Sequence, residues 1–272
     1  MRFSVLLCVY INDDPVHFGD ALNSIMEQTV QPNEIVLVID GPIDEQVRSV
    51  ITKKSALFEN FVVVQIKKNV GHGRARQVGI ENCTFDFVAL MDSDDLSVND
   101  RFEEQIKHFS EDDSLSVVGG WIDEFSTDIL SPIGTRKLPS EDVDIKNYLR
   151  FRCPMNQVTV MFKKTDVLHA GGYLHWHHEE DYYLWLRMHL LDYKFKNIQK
   201  VLVHVRAGDD YFSRRGGLEY FSSEARLQKY MYDNSIINAA HFLMNIILRF
   251  LIQVVMPNPA RRLIFVLLRK NI

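Results

Sequence analysis

Cysteine is scarce in this chain: Cys8, Cys83 and Cys153 lie far apart and form no C-x-x-C pair. That excludes a disulfide framework and a cysteine zinc site, and it fits a reducing cytoplasm. Phosphate-cradling glycine motifs are missing too. There is no Walker Gly-Lys-Ser/Thr, and no Gly-x-Gly-x-x-Gly follows the first strand, which argues against P-loop and dinucleotide-binding proteins. Positive charge is not in excess: 31 basic against 36 acidic residues give a net charge of −5, so nucleic acid is not an expected partner. The apolar run 3–11 meets Asn12, Asp13, Asp14 and Pro15 with no small-x-small cleavage site. It reads as a buried first strand and not as an export signal.

What is present is a globular composition, 46% hydrophobic and 25% charged over 272 residues, enough for one large domain with an appendage. Residues 3–9, 35–39, 61–66 and 87–91 are strand-length runs rich in Val, Ile and Phe. Between them, 16–27, 45–58 and 73–81 read as helices, and 101–109 reads as another. Such alternation predicts an α/β fold, Rossmann-like, with a mostly parallel central sheet and helices on both faces. From about residue 115 the pattern turns to extended segments, 116–125 and 158–163, then a helix over 179–191 and a long helical stretch after Gly216-Gly217.

Ligands of parallel α/β sheets collect at the carboxyl ends of strands. Three such ends carry distinctive residues: Cys8-Val9-Tyr10, Asp40-Gly41 and Asp92-Ser93-Asp94-Asp95. A lone Asp there is ordinarily a turn residue or helix cap. Several converging carboxylates repel one another and raise each other's pKa, and a divalent cation relieves that penalty. Oxygen ligands point to Mg²⁺ or Mn²⁺ bridging substrate phosphates. The stretch Asn69-Val70-Gly71-His72-Gly73-Arg74-Ala75-Arg76 opens a helix and offers N–H groups and arginines to an anion, or is simply a glycine-rich loop.

Taken in order over roughly residues 3–215, these segments resemble family 2 glycosyltransferases, which have the GT-A fold. Ser4 to Tyr10 is similar to the family's first strand. Glu34 to Gly41 is similar to its nucleoside-binding strand, which would set Asp40 on the base. Asn69-Val70-Gly71 through Gln77 resembles its Asn-x-Gly…Ala-Arg-Asn segment, with Gln77 departing from the usual Asn. Asp92-Ser93-Asp94 stands at its Asp-x-Asp metal motif. The resemblance implies a nucleotide-sugar site of Val9, Tyr10, Asp40, Gly71, Arg76, Asp92 and Ser93, with Mn²⁺ or Mg²⁺ on Asp92 and Asp94.

Further along, residues 156–163 and Ala170-Gly171-Gly172-Tyr173 resemble the acceptor side, which implies a role for Asn156; Trp176 and His177 suit a loop lining an acceptor sugar, and Arg214 could meet the donor or carrier diphosphate from a loop. Arg206 and Arg215 share that loop segment with Arg214. Glu180-Asp181 through Trp185 resembles the segment supplying the catalytic base, which makes Asp181 the candidate with Glu180 beside it. Adjacent helix residues point about 100° apart, so the two cannot aim at one hydroxyl. Their bland alternative is an acidic first helical turn. His175, His177 and His178 precede this helix without matching a zinc spacing.

The resemblance further implies an inverting transfer from a nucleotide-sugar, by family habit a UDP-sugar. The acceptor would be a sugar on a lipid diphosphate, in O-antigen or capsule synthesis. A non-catalytic nucleotide-sugar-binding module and a nucleotidyltransferase are the rivals. The second would carry a glycine- and lysine-rich loop after its first strand, where Tyr10-Ile11-Asn12-Asp13-Asp14-Pro15 stands.

Acid is absent from the tail. After Asp233 there is none, while Arg249, Arg261, Arg262, Arg269 and Lys270 follow, leaving the rest of the chain at about −10. Within 236–256, Asn238, His241, Asn245, Arg249 and Gln253 form one narrow helical stripe opposite a broad apolar face. A central Arg disfavours a spanning helix. Apolar area with cations suits an interfacial amphipathic helix, hence peripheral attachment to the inner face of the plasma membrane. The alternative is a helix packed over the catalytic domain or in a homodimer. The expected organisation is a catalytic domain over 1–215, with a nucleotide-sugar half at 1–115 and an acceptor half at 116–215, then a helical extension at 216–272.

Overall fold

The computed structural model describes residues 1–207, 216–257, 260 and 261. Arg214, Arg215 and the run 263–268 therefore lie outside the described residues. The chain opens with β1 (Phe3–Val9), α1 (Pro15–Met26), β2 (Glu34–Asp40), α2 (Glu45–Ser55), β3 (Phe61–Ile66), α3 (His72–Asn82), β4 (Phe87–Met91), β5 (Leu96–Ser97) and α4 (Arg101–Glu111). It continues with β6 (Leu115–Phe125), β7 (Gly134–Arg136), α5 (Asp142–Tyr148), a 3₁₀ turn (Gln157–Thr159), β8 (Met161–Lys163), α6 (Lys164–His169), α7 (Glu180–Leu190) and β9 (Lys194–Arg206). Helices α8 (Leu218–Asp233) and α9 (Ala239–Phe250) follow, the latter running into a π turn (Leu251–Val255).

Among the described residues these strands form one sheet, in the order β3-β2-β1-β4-β8-β6-β9-β5, with β7 paired to β6. Strands β3, β2, β1 and β4 are parallel, Val5 lying opposite both Ile35 and Ala89. Beyond β4 the sheet is mixed, because β8 runs antiparallel to both β4 and β6. The continuous apolar runs of β1 and β2 follow from burial on both faces. Val5, Leu7, Ile35 and Leu37 pack with Phe18, Leu22 and Phe102 on one side. Leu6, Val36 and Val38 pack with Ala75, Ile80 and Trp185 on the other.

Strand order reverses between β1 and β4, because the chain winds outward through β2 and β3 before returning. The crevice for a ligand is thus at the carboxyl ends of β1, β2 and β4. Asp14 caps α1, accepting from Val16 N and His17 N at 2.8 and 3.0 Å, with Pro15 beginning the helix. The loop after β1 therefore turns sharply at the rim of the crevice.

Two sequence expectations change. The run 158–163 is strand only over Met161–Lys163; ahead of it the Thr159 hydroxyl donates to Asn156 O at 2.8 Å and accepts from Gly120 N at 3.0 Å, closing a 3₁₀ turn. Strand β9, thirteen residues long, was not expected at all. Helix α8 joins the core through Leu227 and Met231, whereas the buried residue of α9 is Asn245.

Candidate active site

At the end of β2, Asp40 is 4% exposed and aims its carboxylate at the loop before α3. Its two oxygens accept from Val70 N at 2.8 Å and Gly71 N at 3.0 Å. Gly41 permits the approach. Its φ is +91°, and a Cβ there would stand 2.7 Å from Asn69 N. The loop and strand end form one rigid ledge, and Gly71, with φ +85°, starts α3.

One turn into α3, buried Arg76 donates to Asp92 Oδ1 at 2.7 Å and lies 3.8 Å from Glu180 Oε1. Burial opposes its charge, but the fields of Asp92 and Glu180 outweigh that and raise its pKa above the ordinary value. For Asp92 burial likewise favours protonation, and Arg76 reverses the balance, holding this carboxyl below its usual range. His72, one turn earlier, is pushed down by the Arg76 charge and by burial. The pair ties α3 to the end of β4.

The remaining acids at this end are less compensated. Asp95 is 3% exposed and accepts from Arg206 N at 2.9 Å, while Arg206 also donates through Nε to Asp94 O at 2.8 Å. Desolvation and the neighbouring Asp92 charge raise Asp94, and burial with Asp94 and Asp92 raises Asp95 well above the carboxylate range. Asp13, on the loop after β1, accepts from Tyr10 N at 2.8 Å and bonds the Ser93 side chain. Burial and the charges of Asp94 and Asp92 lift it to about 6. Among the described residues no three His, Cys, Asp or Glu side chains already converge as a metal cage. The donor set nonetheless fits a hard cation. Asp92 and Asp94 supply oxygens where negative charge is in excess, and Mg²⁺ or Mn²⁺ commonly completes its shell with water and substrate phosphate.

From Asp92 and Asp95 a cavity of about 590 Å³ runs to Asp181 and on toward α9. Asp181, at the start of α7, accepts from its neighbour Tyr182 N at 2.7 Å, and Cys153 Sγ lies 3.8 Å from its Oδ2. Burial, and then the charge of Glu180, raises its pKa. Glu180 itself turns to Arg76 and Gly73, where a Cβ would stand 3.2 Å from its own Cβ. The two carboxylates thus diverge as helix geometry requires, and the cavity receives Asp181. Glu179, 5% exposed, also faces it, accepting from Tyr220 OH at 3.0 Å.

Several expected positions sit differently. Val9 is 1% exposed in the core, so only its backbone faces the crevice end. Trp176 stacks on Tyr183 at 4.5 Å and donates to Ser223 O at 3.3 Å, locking α7 to α8. His177 faces Glu219 at 3.5 Å; the cavity is lined instead by His178. Buried Asn156 does line it, with Nδ2 on Gly120 O at 2.8 Å. Arg136 and Cys153, which the sequence did not single out, line it as well, joined by an Arg136 Nη2 to Cys153 O bond of 3.0 Å. Asp13 was not singled out either, although an acid just beyond the first strand was a signal that could have found it; Arg136 and Cys153 carried none.

Residues 4–168 match the family described as glycosyl transferase family 2. The amylovoran biosynthesis glycosyltransferase AmsE of Erwinia amylovora is 37% identical over 227 residues, 84% of each chain. An Escherichia coli UDP-Gal:alpha-D-GlcNAc-diphosphoundecaprenol beta-1,3-galactosyltransferase is 33% identical, covering 93% of this chain and 91% of its own. Among solved structures, the mannosyltransferase PcManGT of Pyrobaculum calidifontis, in complex with GDP-Man and Mn²⁺, superposes with a TM-score of 0.63 at 15% identity. That match covers all of this chain and 76% of that one, and is a likeness of fold.

Proposed function

The chain belongs to glycosyl transferase family 2, and from that premise we propose a metal-dependent inverting hexosyltransferase working in bacterial surface polysaccharide synthesis, of the O-antigen or capsule type. The donor is a UDP-sugar, with UDP-galactose, named for the Escherichia coli relative, the first to test. The acceptor is a sugar on a lipid diphosphate, met at the inner face of the plasma membrane. One observation carries this reading: a single cavity is lined by Asp92 and Asp95 and by the pKa-raised Asp181.

The ledge of Asp40, Asn69 and Gly71 with the rim at Tyr10 receives the nucleoside, and Arg76 keeps Asp92 ionised toward the diphosphate. Asp92 and Asp94 would hold Mn²⁺ or Mg²⁺, which when bound neutralises charge on the departing nucleoside diphosphate. Asp181 takes the proton of the acceptor hydroxyl as its oxygen attacks the anomeric carbon from the face opposite the leaving group. A raised pKa suits that task, because it makes the carboxylate a stronger base toward the acceptor hydroxyl. One displacement and no covalent enzyme intermediate give inversion. Arg136 and Asn156 line the acceptor end.

Purified protein with a panel of nucleotide-sugars, Mn²⁺ and a short-chain sugar diphosphate lipid tests this. Acceptor-dependent release of UDP is expected. Binding without turnover would favour the non-catalytic module, and pyrophosphate release from a nucleoside triphosphate would favour the nucleotidyltransferase.

A further inference from the structure

Helix α9 presents its polar side to the protein. Asn245 is 2% exposed and donates to Arg150 O at 3.0 Å and Gln228 Oε1 at 2.8 Å. Arg249 donates to Phe151 O at 2.7 Å and pairs with Glu224 at 2.5 Å. In the π turn, Gln253 donates to Glu224 Oε2 at 2.8 Å. Leu243, Ile247, Phe250 and Leu251 face outward, 60, 49, 41 and 46% exposed. A helix on a water-facing surface does the reverse. Polar bonds hold this one to the body, which leaves a contiguous apolar face for another surface. Among the described residues no helix is long and apolar enough to cross a membrane.

Position adds a second observation. Met244 and Leu248, 42 and 49% exposed, belong to the outward apolar side and also line the cavity that reaches Asp181. The cavity therefore opens along the border between the helix's two sides. Charge selects the occupant. After Asp233 the sequence has no acid; of its five cations Arg249 turns inward to Glu224 and Arg261 to Ile252 O and Met256 O, which leaves Arg262, Arg269 and Lys270, against about −10 for the rest of the chain. A second copy would add only more charge of the same sign, whereas an anionic bilayer complements it.

We infer that α9 docks through Leu243, Ile247, Phe250 and Leu251 on an anionic lipid bilayer and holds the cavity mouth at headgroup level. A diphosphate-linked acceptor then reaches Asp181 while its hydrocarbon chain stays in the membrane. This last step rests on the lipid-acceptor reading above; the docking does not.

The test is flotation of the full chain with vesicles of phosphatidylethanolamine and phosphatidylglycerol, with phosphatidylcholine vesicles as control. The chain should float with the anionic vesicles. Leu243→Gln/Ile247→Gln/Leu251→Gln should weaken that partition about tenfold or more, with circular dichroism and turnover on a short-chain acceptor unchanged. Should the triple variant unfold, Leu243→Gln alone must still weaken partition. A wild-type chain that stays with the soluble fraction, variants that float like wild type, or a wild-type dimer that the triple change makes monomeric would each overturn the docking. The acceptor reading is separated by assay in detergent. A chain that floats but ignores lipid diphosphates there keeps the docking and loses that reading, and the opposite pair of results does the reverse.

Discussion

Arg76 Nη2 lies 2.7 Å from Asp92 Oδ1, and this contact joins the helix that follows the ledge of Asp40 and Gly71 to the acidic strand end. Removing the cation takes away the ion-pair partner that Asp92, 30% exposed, and Glu180, 16% exposed, both hold in Arg76. Arg76→Gln should therefore lose stability, by about 3 kcal/mol at the low end for broken buried pairs. Donor affinity should weaken in parallel. Urea denaturation and titration with UDP-sugar measure both.

Asp181→Asn should cut turnover by about 10²–10⁴ while leaving donor KM nearly unchanged, the signature of a group used only in the transition state. Glu180→Gln should be far milder, because Glu180 faces Arg76 and not the cavity. Steady-state kinetics of the two variants decide which acid is the base.

The same pair sets the pH profile. A base acts when deprotonated, so activity should rise with pH through the raised pKa of Asp181. Glu180 contributes part of that rise through its negative charge. Glu180→Gln should thus lower the Asp181 pKa and move the acidic limb of kcat/KM to lower pH. A limb that stays or moves up would show that Glu180 does not act on Asp181 in this way.

Gly79 on α3 is a packing prediction independent of chemistry. A Cβ there would stand 2.2 Å from Leu6 Cδ1 and 3.0 Å from Val38 Cγ2, so α3 rests directly on the sheet. Gly79→Ala should cost about 1–3 kcal/mol and shift the urea midpoint without changing the pH profile.

The acids at the carboxyl ends of β2 and β4 were legible because apolar runs end abruptly there, and the family resemblance supplied Asp181 from its neighbours in sequence. Strand β9 was not legible. Lys194, Lys196 and Lys200 interrupt its apolar pattern, and only the fold reveals that Lys196 pairs with Glu141 and Lys200 with Asp100 at the sheet's rim. The stripe of Asn245, Arg249 and Gln253 was visible as a period, but a period does not say which side faces inward. That sign depends on Glu224 and Gln228 of α8, distant partners that local sequence cannot announce. Trp176 and His177 were placed on the acceptor side as residue types suited to a sugar-lining loop, and the fold turns their side chains toward α8 instead.

The most direct test of the account is the anomeric configuration of the product. Wild-type protein with Mn²⁺, an α-configured UDP-sugar and a diphosphate-linked acceptor should give a β-linked product by proton NMR coupling. Chelator should abolish its formation, and Asp181→Asn should slow it by about 10²–10⁴. An α-linked product, or one formed equally well by Asp181→Asn, would contradict single displacement with Asp181 as the base.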